Sequence, residues 1–379
     1  MRWMLLLVSL GATWQAAAQP LGLPPVPIPD DNPQTPEKVA LGERLFNDVR
    51  FSSTGAVSCA TCHAAATVFT DALPVSAGID GLLGTRNAPT IVNAAYNATQ
   101  FWDGRSPTLE DQALHPFLNP VEMAMPNHDA LLEIIRGDRD YTRAFRNVFD
   151  VRPDEIRIEH VTKAIAAFER TQIAGDSPFD RWYFGGEEDA ISDAAKRGFD
   201  VFLTDGRCVS CHTIEQDHAL FTDHRFHNIG IGVNGIQDRI TELAKAFLVA
   251  KAEGVDVDVA VLSDADTSHL GRFAVTGDLS EIGAFKTPTL RNVALTAPYM
   301  HDGSLATLQE VVEHYNNGGV IPADAPVNPY LAGGIRPLGL TQQQIDDLVA
   351  FMESLTSPQF DELVEPEPVA ALGEGRERQ

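Results

Sequence analysis

The chain has 379 residues, 44% of them hydrophobic, which is enough for two or three domains with a sizeable core. Asp and Glu number 53 against 28 Lys and Arg, and the formal net charge of −25 argues against binding to nucleic acid or to an anionic membrane. The same charge is compatible with a basic redox partner.

The N terminus is typical of an export signal. Arg2 supplies a positive charge, residues 5–10 form a short apolar core, and Ala16, Ala17 and Ala18 provide a small-residue cleavage site. We therefore expect residues 1–18 to be a signal peptide and the mature protein to be periplasmic. The apolar core is too short to span a bilayer, and no later stretch approaches that length.

Local composition predicts the next elements. Residues 19–36 are rich in proline and polar residues, which predicts an extended arm. Apolar residues at helical spacing predict a helix over 38–47, another within 154–170, one from about 192 and one over 238–253. The acidic, valine-rich segment 254–266 is predicted to be an exposed insertion. The charged tail 358–379 has few aromatic residues and is predicted to be disordered.

Two Cys-x-x-Cys-His motifs use all four cysteines of the chain. This pattern is typical of covalent haem c attachment, in which two thiols add to the haem vinyl groups and the histidine ligates the iron. A four-thiolate zinc site or two disulfides would need no histidine after each pair. We therefore predict two covalently bound haem c groups. The motif residues are Cys59, Cys62 and His63 in the first copy and Cys208, Cys211 and His212 in the second.

A weak internal repeat accompanies the two motifs. Gly42 and Phe46 stand four residues apart before the first, as Gly198 and Phe202 do before the second. Strand signals are few. We expect a mostly α fold with two cytochrome c-like haem domains, over residues 37–180 and 190–357, packed around an inter-haem interface.

Helix-start signals support helices near the end of the second domain. Thr307 with Glu310, and Thr341 with Gln344, have the spacing of capping boxes. The first of these helices is predicted to end near Gly318.

Several further motifs, in a constant order, resemble those of the bacterial di-haem cytochrome c peroxidase family and of its MauG-like (MbnH-like) branch. The resemblance covers roughly residues 36–357. Besides the haem motifs, it rests on the sequences at residues 86–90, 101–105, 120–123, 290–292 and 296–303.

The resemblance implies that the N-terminal haem reacts with hydrogen peroxide. Its distal pocket is matched by Gln112, Pro116 and Glu122. We expect Glu122 to be catalytic, because a carboxyl group in a desolvated pocket has a raised pKa and can both take and return a proton. Trp102 matches the tryptophan between the haems and is expected to relay oxidising equivalents, with ordinary core packing as the alternative.

The resemblance also implies a calcium site between the haems. The matching residues are Asn87, Thr296 and Pro298, whose side-chain and carbonyl oxygens suit Ca²⁺. We therefore expect one bound Ca²⁺.

Two departures from ordinary members of the family concern the iron ligands. No histidine lies between His63 and His115, so the first iron is expected to be five-coordinate or water-bound. At the second iron, whose proximal ligand is His212, the usual methionine is replaced by Tyr315, which shares one face of a predicted helix with Leu308. Met300 is the alternative ligand.

These features favour a periplasmic oxidoreductase of MauG type that uses hydrogen peroxide and oxidises a protein partner through a high-valent di-haem state. The first alternative is an ordinary cytochrome c peroxidase supplied with electrons by a small cytochrome c or a cupredoxin. The second is a non-enzymatic di-haem electron carrier.

Overall fold

The computed structural model describes residues 19–319 and 328–363, and its fold is mostly helical as predicted. The predicted signal peptide lies outside these ranges, and no helix within them is long and apolar enough to cross a membrane. As far as residue 189 the helices are α1 Pro36–Phe46, α2 Cys59–Cys62, α3 Leu109–Gln112, α4 His115–Leu118, α5 His128–Gly137, α6 Arg139–Phe149, α7 Ile158–Glu169 and α8 Pro178–Tyr183.

The C-terminal half adds seven helices in the described ranges and one short antiparallel ribbon. The ribbon pairs β1 Phe226–His227 with β2 Phe285–Lys286. The helices are α9 Asp193–Leu203, α10 Ile240–Ala252, α11 Val257–Ser263, α12 Ala265–Ser268, α13 Phe273–Thr276, α14 Leu308–Asn316 and α15 Gln342–Glu353. The capping boxes predicted at Thr307 and Thr341 are present at the starts of α14 and α15.

The internal repeat corresponds to two similar helix crossings. Helix α1 packs on α7, and α9 packs on α15. A Cβ atom on Gly42 would lie 1.9 Å from the carbonyl oxygen of Ala164, and one on Gly198 would lie 1.9 Å from that of Asp347. Both crossings therefore need a glycine, because only a bare Cα allows the backbones to come so close. The structure thus contains two related helical units.

Each unit has its own hydrophobic core. The first includes Phe46, and the second includes Phe202. Helix α8 belongs to the second core, because Phe179 is fully buried and packs against Phe199 and Phe351. The change from one core to the other therefore comes just before α8, whereas the domain limit predicted at residue 180 falls inside that helix.

A third core lies in residues 233–282 and includes α10–α13. The prediction of an exposed insertion over 254–266 is wrong, because α11 buries Val261 and Leu262 in this core. The acidic residues obscured an amphipathic helix whose apolar side faces inward.

Both ends of the described chain pack on the body of the protein. The arm runs up to Thr35 without helix or strand, with turns at residues 21–22 and 30–31, and Gln34 Nε2 donates to Ala167 O at 2.5 Å. At the other end, residues Pro358–Leu363 form a 3₁₀ helix with Phe360 buried, so the prediction of a disordered tail is corrected for these six residues. Burial of the phenyl ring offsets the entropy lost on ordering them. The rest of the predicted tail lies outside the described residues.

Candidate active site

One cavity of about 1060 Å³ is lined by both Cys-x-x-Cys-His motifs. Helix α2 carries the first motif and begins with reciprocal hydrogen bonding between Ser58 and Thr61. The second motif begins in a 3₁₀ turn, Cys208–Ser210, directly after α9. The structure therefore brings both predicted haem-attachment motifs to the wall of a single cavity.

The two motif histidines are held in the same way. His63 Nδ1 lies 3.2 Å from Phe69 O, and His212 Nδ1 lies 2.8 Å from Phe221 O. Burial lowers the pKa of both imidazoles, so they are neutral and Nδ1–H donates to the carbonyl. Nε2 of each ring then has a free lone pair, which is the state needed to ligate iron.

The local sequences around these carbonyl groups are also repeated. Phe69 and Phe221 both have positive φ, at 57° and 53°, and each is followed by Thr-Asp. This backbone conformation turns the Phe carbonyl toward the histidine six or nine residues earlier. The repeat extends to the groups that orient the proposed iron ligands.

These residues fit two haem c groups. The four cysteines are free thiols, the two imidazoles are neutral, and most of the cavity wall is apolar. The cysteines and histidine of each motif would hold one haem, which would supply a redox-active iron.

The three residues predicted for the first distal pocket, Gln112, Pro116 and Glu122, all line the cavity. Glu122 Oε2 is buried and has no hydrogen-bond partner in the described part of the chain. Burial, with a further contribution from the negative charge of Asp258, raises the pKa of Glu122 to about 8, and Arg105 opposes the shift. Such a carboxyl group can exchange a proton near neutral pH.

The loop at residues 76–81 packs against the backbone of Glu122. Ile79 N donates to Glu122 O at 3.0 Å. A Cβ atom on Gly78 would lie 1.9 Å from Val121 O, so only glycine fits there. The loop thus holds the Glu122 turn and carries no histidine.

Tyr315 and Met300 both line the cavity in the second half. Burial raises the pKa of the Tyr315 phenol, and its oxygen has no hydrogen-bond partner among the described residues. A buried phenol normally pairs its hydroxyl group. Both candidate ligands are therefore placed at the cavity, and of the two only the phenol has an O–H group that would normally be paired.

The predicted relay residue and the predicted calcium residues all line the cavity. Trp102 Nε1 donates to Asn87 O at 2.9 Å, and Asn87 Nδ2 donates to Leu73 O at 2.8 Å. Asn87 Oδ1 and the carbonyl oxygens of Thr296 and Pro298 accept no hydrogen bond from any described residue. Three oxygen atoms of the kind that calcium prefers are thus left without protein donors.

A buried ion-pair network was not predicted. Asp103 is fully buried and pairs with Arg86 at 2.6 Å and with Arg105 at 3.0 Å. Arg105 also pairs with Asp258 of α11 at 2.7 Å. Asp103 and Arg105 belong to a motif that was noted, but Asp258 lies in an acidic segment whose pattern is typical of a solvated surface.

A second buried carboxyl group also escaped prediction. Glu169 lines the cavity and is 4% exposed, and its Oε2 has no partner in the described chain. Burial raises its pKa to about 8. The sequence feature that could have indicated its burial is its position at the end of the apolar helix α7.

Two haem-attachment motifs, each with its histidine, line one cavity, and a protonatable carboxyl group lies on the wall of its first half. These features define a di-haem c protein equipped for peroxide chemistry. The sequence model of the di-haem cytochrome c peroxidase family matches residues 36–189. Methylamine utilization protein MauG of Methylorubrum extorquens is 37% identical over 330 residues, which cover 87% of this chain and 81% of that protein. Cytochrome-c peroxidase IdrP1 of Denitromonas iodatirespirans is 38% identical over 351 residues, covering 91% and 88%.

The fold agrees with a solved relative. A crystal structure of a MauG-like protein associated with microbial copper homeostasis matches with a TM-score of 0.72 and 32% identity, covering 94% of this chain and 98% of that one. The chain belongs to the di-haem cytochrome c peroxidase family. It is therefore an enzyme that uses peroxide with two haem c cofactors and a protein partner or electron donor, and the electron-carrier hypothesis is set aside.

Proposed function

We propose that this enzyme is of MauG type and uses hydrogen peroxide to oxidise a side chain of a protein partner. The observation that carries the proposal is the half-buried phenol of Tyr315 on the cavity wall of the second half, whose oxygen has no hydrogen-bond partner among the described residues. An anionic phenolate ligand stabilises higher oxidation states of iron than a methionine does. The similarity to MauG supports the same conclusion.

The proton chemistry is assigned to Glu122. Reduction of one peroxide to two waters takes two electrons and two protons, and the partner side chain supplies both electrons. The Glu122 carboxylate takes a proton from one peroxide oxygen and its acid form returns it to the other. Gln112 is proposed to hold the oxidant by hydrogen bonding, and Pro116 keeps the distal side free because it has no ligating atom.

Trp102 is proposed to pass electrons between the two halves. Its indole lines the shared cavity, and the hydrogen bond to Asn87 O fixes its orientation. With Asn87 Oδ1, the carbonyl oxygens of Thr296 and Pro298 are proposed to bind one Ca²⁺, which would hold both halves in register around the indole. Metal analysis before and after chelation tests this site.

Export to the periplasm is part of the proposal. Haem c is attached outside the cytoplasm, and residues 1–18 have the pattern of a signal peptide. Mass spectrometry of the mature N terminus from a periplasmic fraction tests it, and a chain that still carries residues 1–18 would contradict it.

Peroxide titration of the holoprotein tests the function. A MauG-type enzyme forms a long-lived oxidised state with peroxide and oxidises reduced small cytochromes slowly. Glu122→Gln is expected to prevent that state while both haems remain attached, as mass spectrometry would show. Rapid turnover of a reduced cytochrome c or cupredoxin would support the alternative, an ordinary peroxidase. The similarity to IdrP1 keeps that alternative in view.

A further inference from the structure

The turn that carries Glu122 is anchored by Asn119. Glu122 N and Ala124 N donate to Asn119 O at 3.1 Å and 2.9 Å, and Val121 N donates to Asn119 Oδ1 at 3.1 Å. The remaining part of this side chain, Nδ2, donates to Asp258 Oδ2 at 2.6 Å. The orientation of the turn therefore depends on a residue 139 positions away.

Asp258 belongs to α11 in the third core and is 6% exposed. Its Oδ1 accepts from Arg105 Nε at 2.8 Å, while Oδ2 is occupied by Asn119. The Arg105 guanidinium lies 3.5 Å above the Phe101 ring and lines the cavity. One carboxylate therefore fixes both the Glu122 turn and the cation that faces the same pocket.

Neighbouring contacts attach the same region to the third core. Val121 packs against its apolar residues, and Thr85 Oγ1 donates to Val261 O at 2.6 Å. These contacts place a segment of the C-terminal half over the distal side of the N-terminal site. Both oxygens of Asp258 are used, so it has no free atom with which to act on peroxide itself.

We propose that Asp258 is a positioning residue for peroxide reduction, which sets the orientation and protonation of Glu122 through Asn119 and Arg105. This inference rests on the proposed role of Glu122. It gives the third core a function in the reaction of the first haem site.

The charged groups around Glu122 determine whether neutralising Asp258 raises or lowers the pKa of Glu122. Asp258 and Arg105 interact electrostatically with the carboxyl group, as do Cys59 and Cys62 of α2, whose thiols haem attachment would convert to neutral thioethers. Neutralising Asp258 removes a negative charge and leaves Arg105 less well paired. Both changes favour the ionised form of Glu122 and lower its pKa.

The test compares Asp258→Asn with the wild-type holoprotein. The rate of the absorbance change after peroxide addition is measured by stopped flow as a function of pH. The pH at the midpoint of this rate profile is expected to be about 1 pH unit lower in Asp258→Asn than in the wild type. Asp258→Glu should return the midpoint toward the wild-type value because it restores the charge. Asp266→Asn, which removes a half-buried carboxylate that pairs with Arg239 in the same part of the chain, should leave it unchanged.

A second readout does not depend on turnover. Infrared difference spectra between low and high pH show the band of the protonated Glu122 carboxyl group, identified by its absence in Glu122→Gln. That band should disappear at lower pH in Asp258→Asn than in the wild type. Asn119→Ser should slow the reaction about tenfold through misplacement of the turn, without moving the midpoint.

The possible outcomes distinguish a failure of the inference about Asp258 from a failure of the proposed role of Glu122. An unchanged midpoint and infrared titration in Asp258→Asn would overturn the inference, even if the variant were less stable. A Glu122→Gln enzyme that reacts with peroxide like the wild type would overturn the role of Glu122 and this inference with it.

Discussion

Pro116 and Tyr315 occupy equivalent positions in the two halves of the molecule. Each lies eight residues after a threonine that caps a helix, Thr108 for α3 and Thr307 for α14, and both side chains line the cavity. The segment before each cap is also repeated. The same equivalence pairs Phe101 with Met300, which both have positive φ, at 64° and 76°.

The proline changes the backbone as well as the side chain. Helix α14 runs unbroken through Tyr315, whereas α3 ends at Gln112 and α4 begins at His115. Proline lacks an N–H group, and its ring clashes with the carbonyl four residues earlier, which is Gln112. The difference between these two residues thus leaves the first half without the phenol that is proposed as an iron ligand in the second, and it interrupts the helix that would carry such a group.

Replacing Tyr315 with phenylalanine should change one haem only. The phenol oxygen is the atom proposed to bind the second iron, so Tyr315→Phe is expected to alter the low-spin ferric signal in the electron paramagnetic resonance spectrum and leave the high-spin signal unchanged. Tyr299→Phe is the matched control, because Tyr299 lines the same cavity but donates to Val293 O at 3.1 Å. A low-spin signal that responds to Met300→Leu instead would assign the ligand to Met300.

The peroxide reaction should depend on pH through Glu122. With a pKa of about 8, the carboxyl group is mostly protonated at pH 6 and mostly ionised at pH 9. The rate is expected to rise over this range, because proton abstraction from peroxide needs the ionised form. Glu122→Gln should lower it by about 10²- to 10⁴-fold and remove the pH dependence. A wild-type stopped-flow rate that is constant from pH 6 to 9 would contradict this assignment.

Glu169 should make the protein less stable at high pH. Its pKa is raised from 4.5 to about 8 by burial, so the folded state holds a proton that the unfolded state has lost. The contribution of protonated Glu169 to stability is fully present below the pKa that this residue has in the unfolded chain. It is lost as the pH rises through 8. Glu169→Gln should therefore be more stable than the wild type at pH 9, by about 2 kcal/mol, with little difference at pH 5.

Thermal unfolding at both pH values measures this effect. Glu133→Gln is the control, because Glu133 lies on the exposed side of α5. Equal differences at pH 5 and pH 9 would show that Glu169 ionises normally in the folded protein.

The helix crossings should be intolerant of a single methyl group. Gly198→Ala places a Cβ atom 1.9 Å from Asp347 O, so α9 and α15 must separate, at a cost of about 1–3 kcal/mol in the free energy of unfolding. Gly137→Ala, at the end of α5, meets no atom within 4 Å and should be neutral or stabilising by up to about 1 kcal/mol. Urea unfolding measures both, and similar effects would contradict the close crossing.

The sequence alone predicted much of the helical fold and the haem-attachment motifs. Both depend on residues close together in the chain: the capping boxes act over three positions, and the Cys-x-x-Cys-His spacing is set by the reach of two side chains to one porphyrin edge. The repeat of Gly42 and Gly198 was also visible, because the same packing problem is solved twice at the same spacing.

Only the tertiary structure placed Asp258 beside Asn119 and Arg105, and only it showed that the Oε2 atoms of Glu122 and Glu169 are buried with no partner among the described residues. The residue type alone does not show whether a carboxyl group is solvated or buried. Its pKa is determined by the solvent it loses and the charges it meets on folding, and those neighbours come from distant parts of the chain.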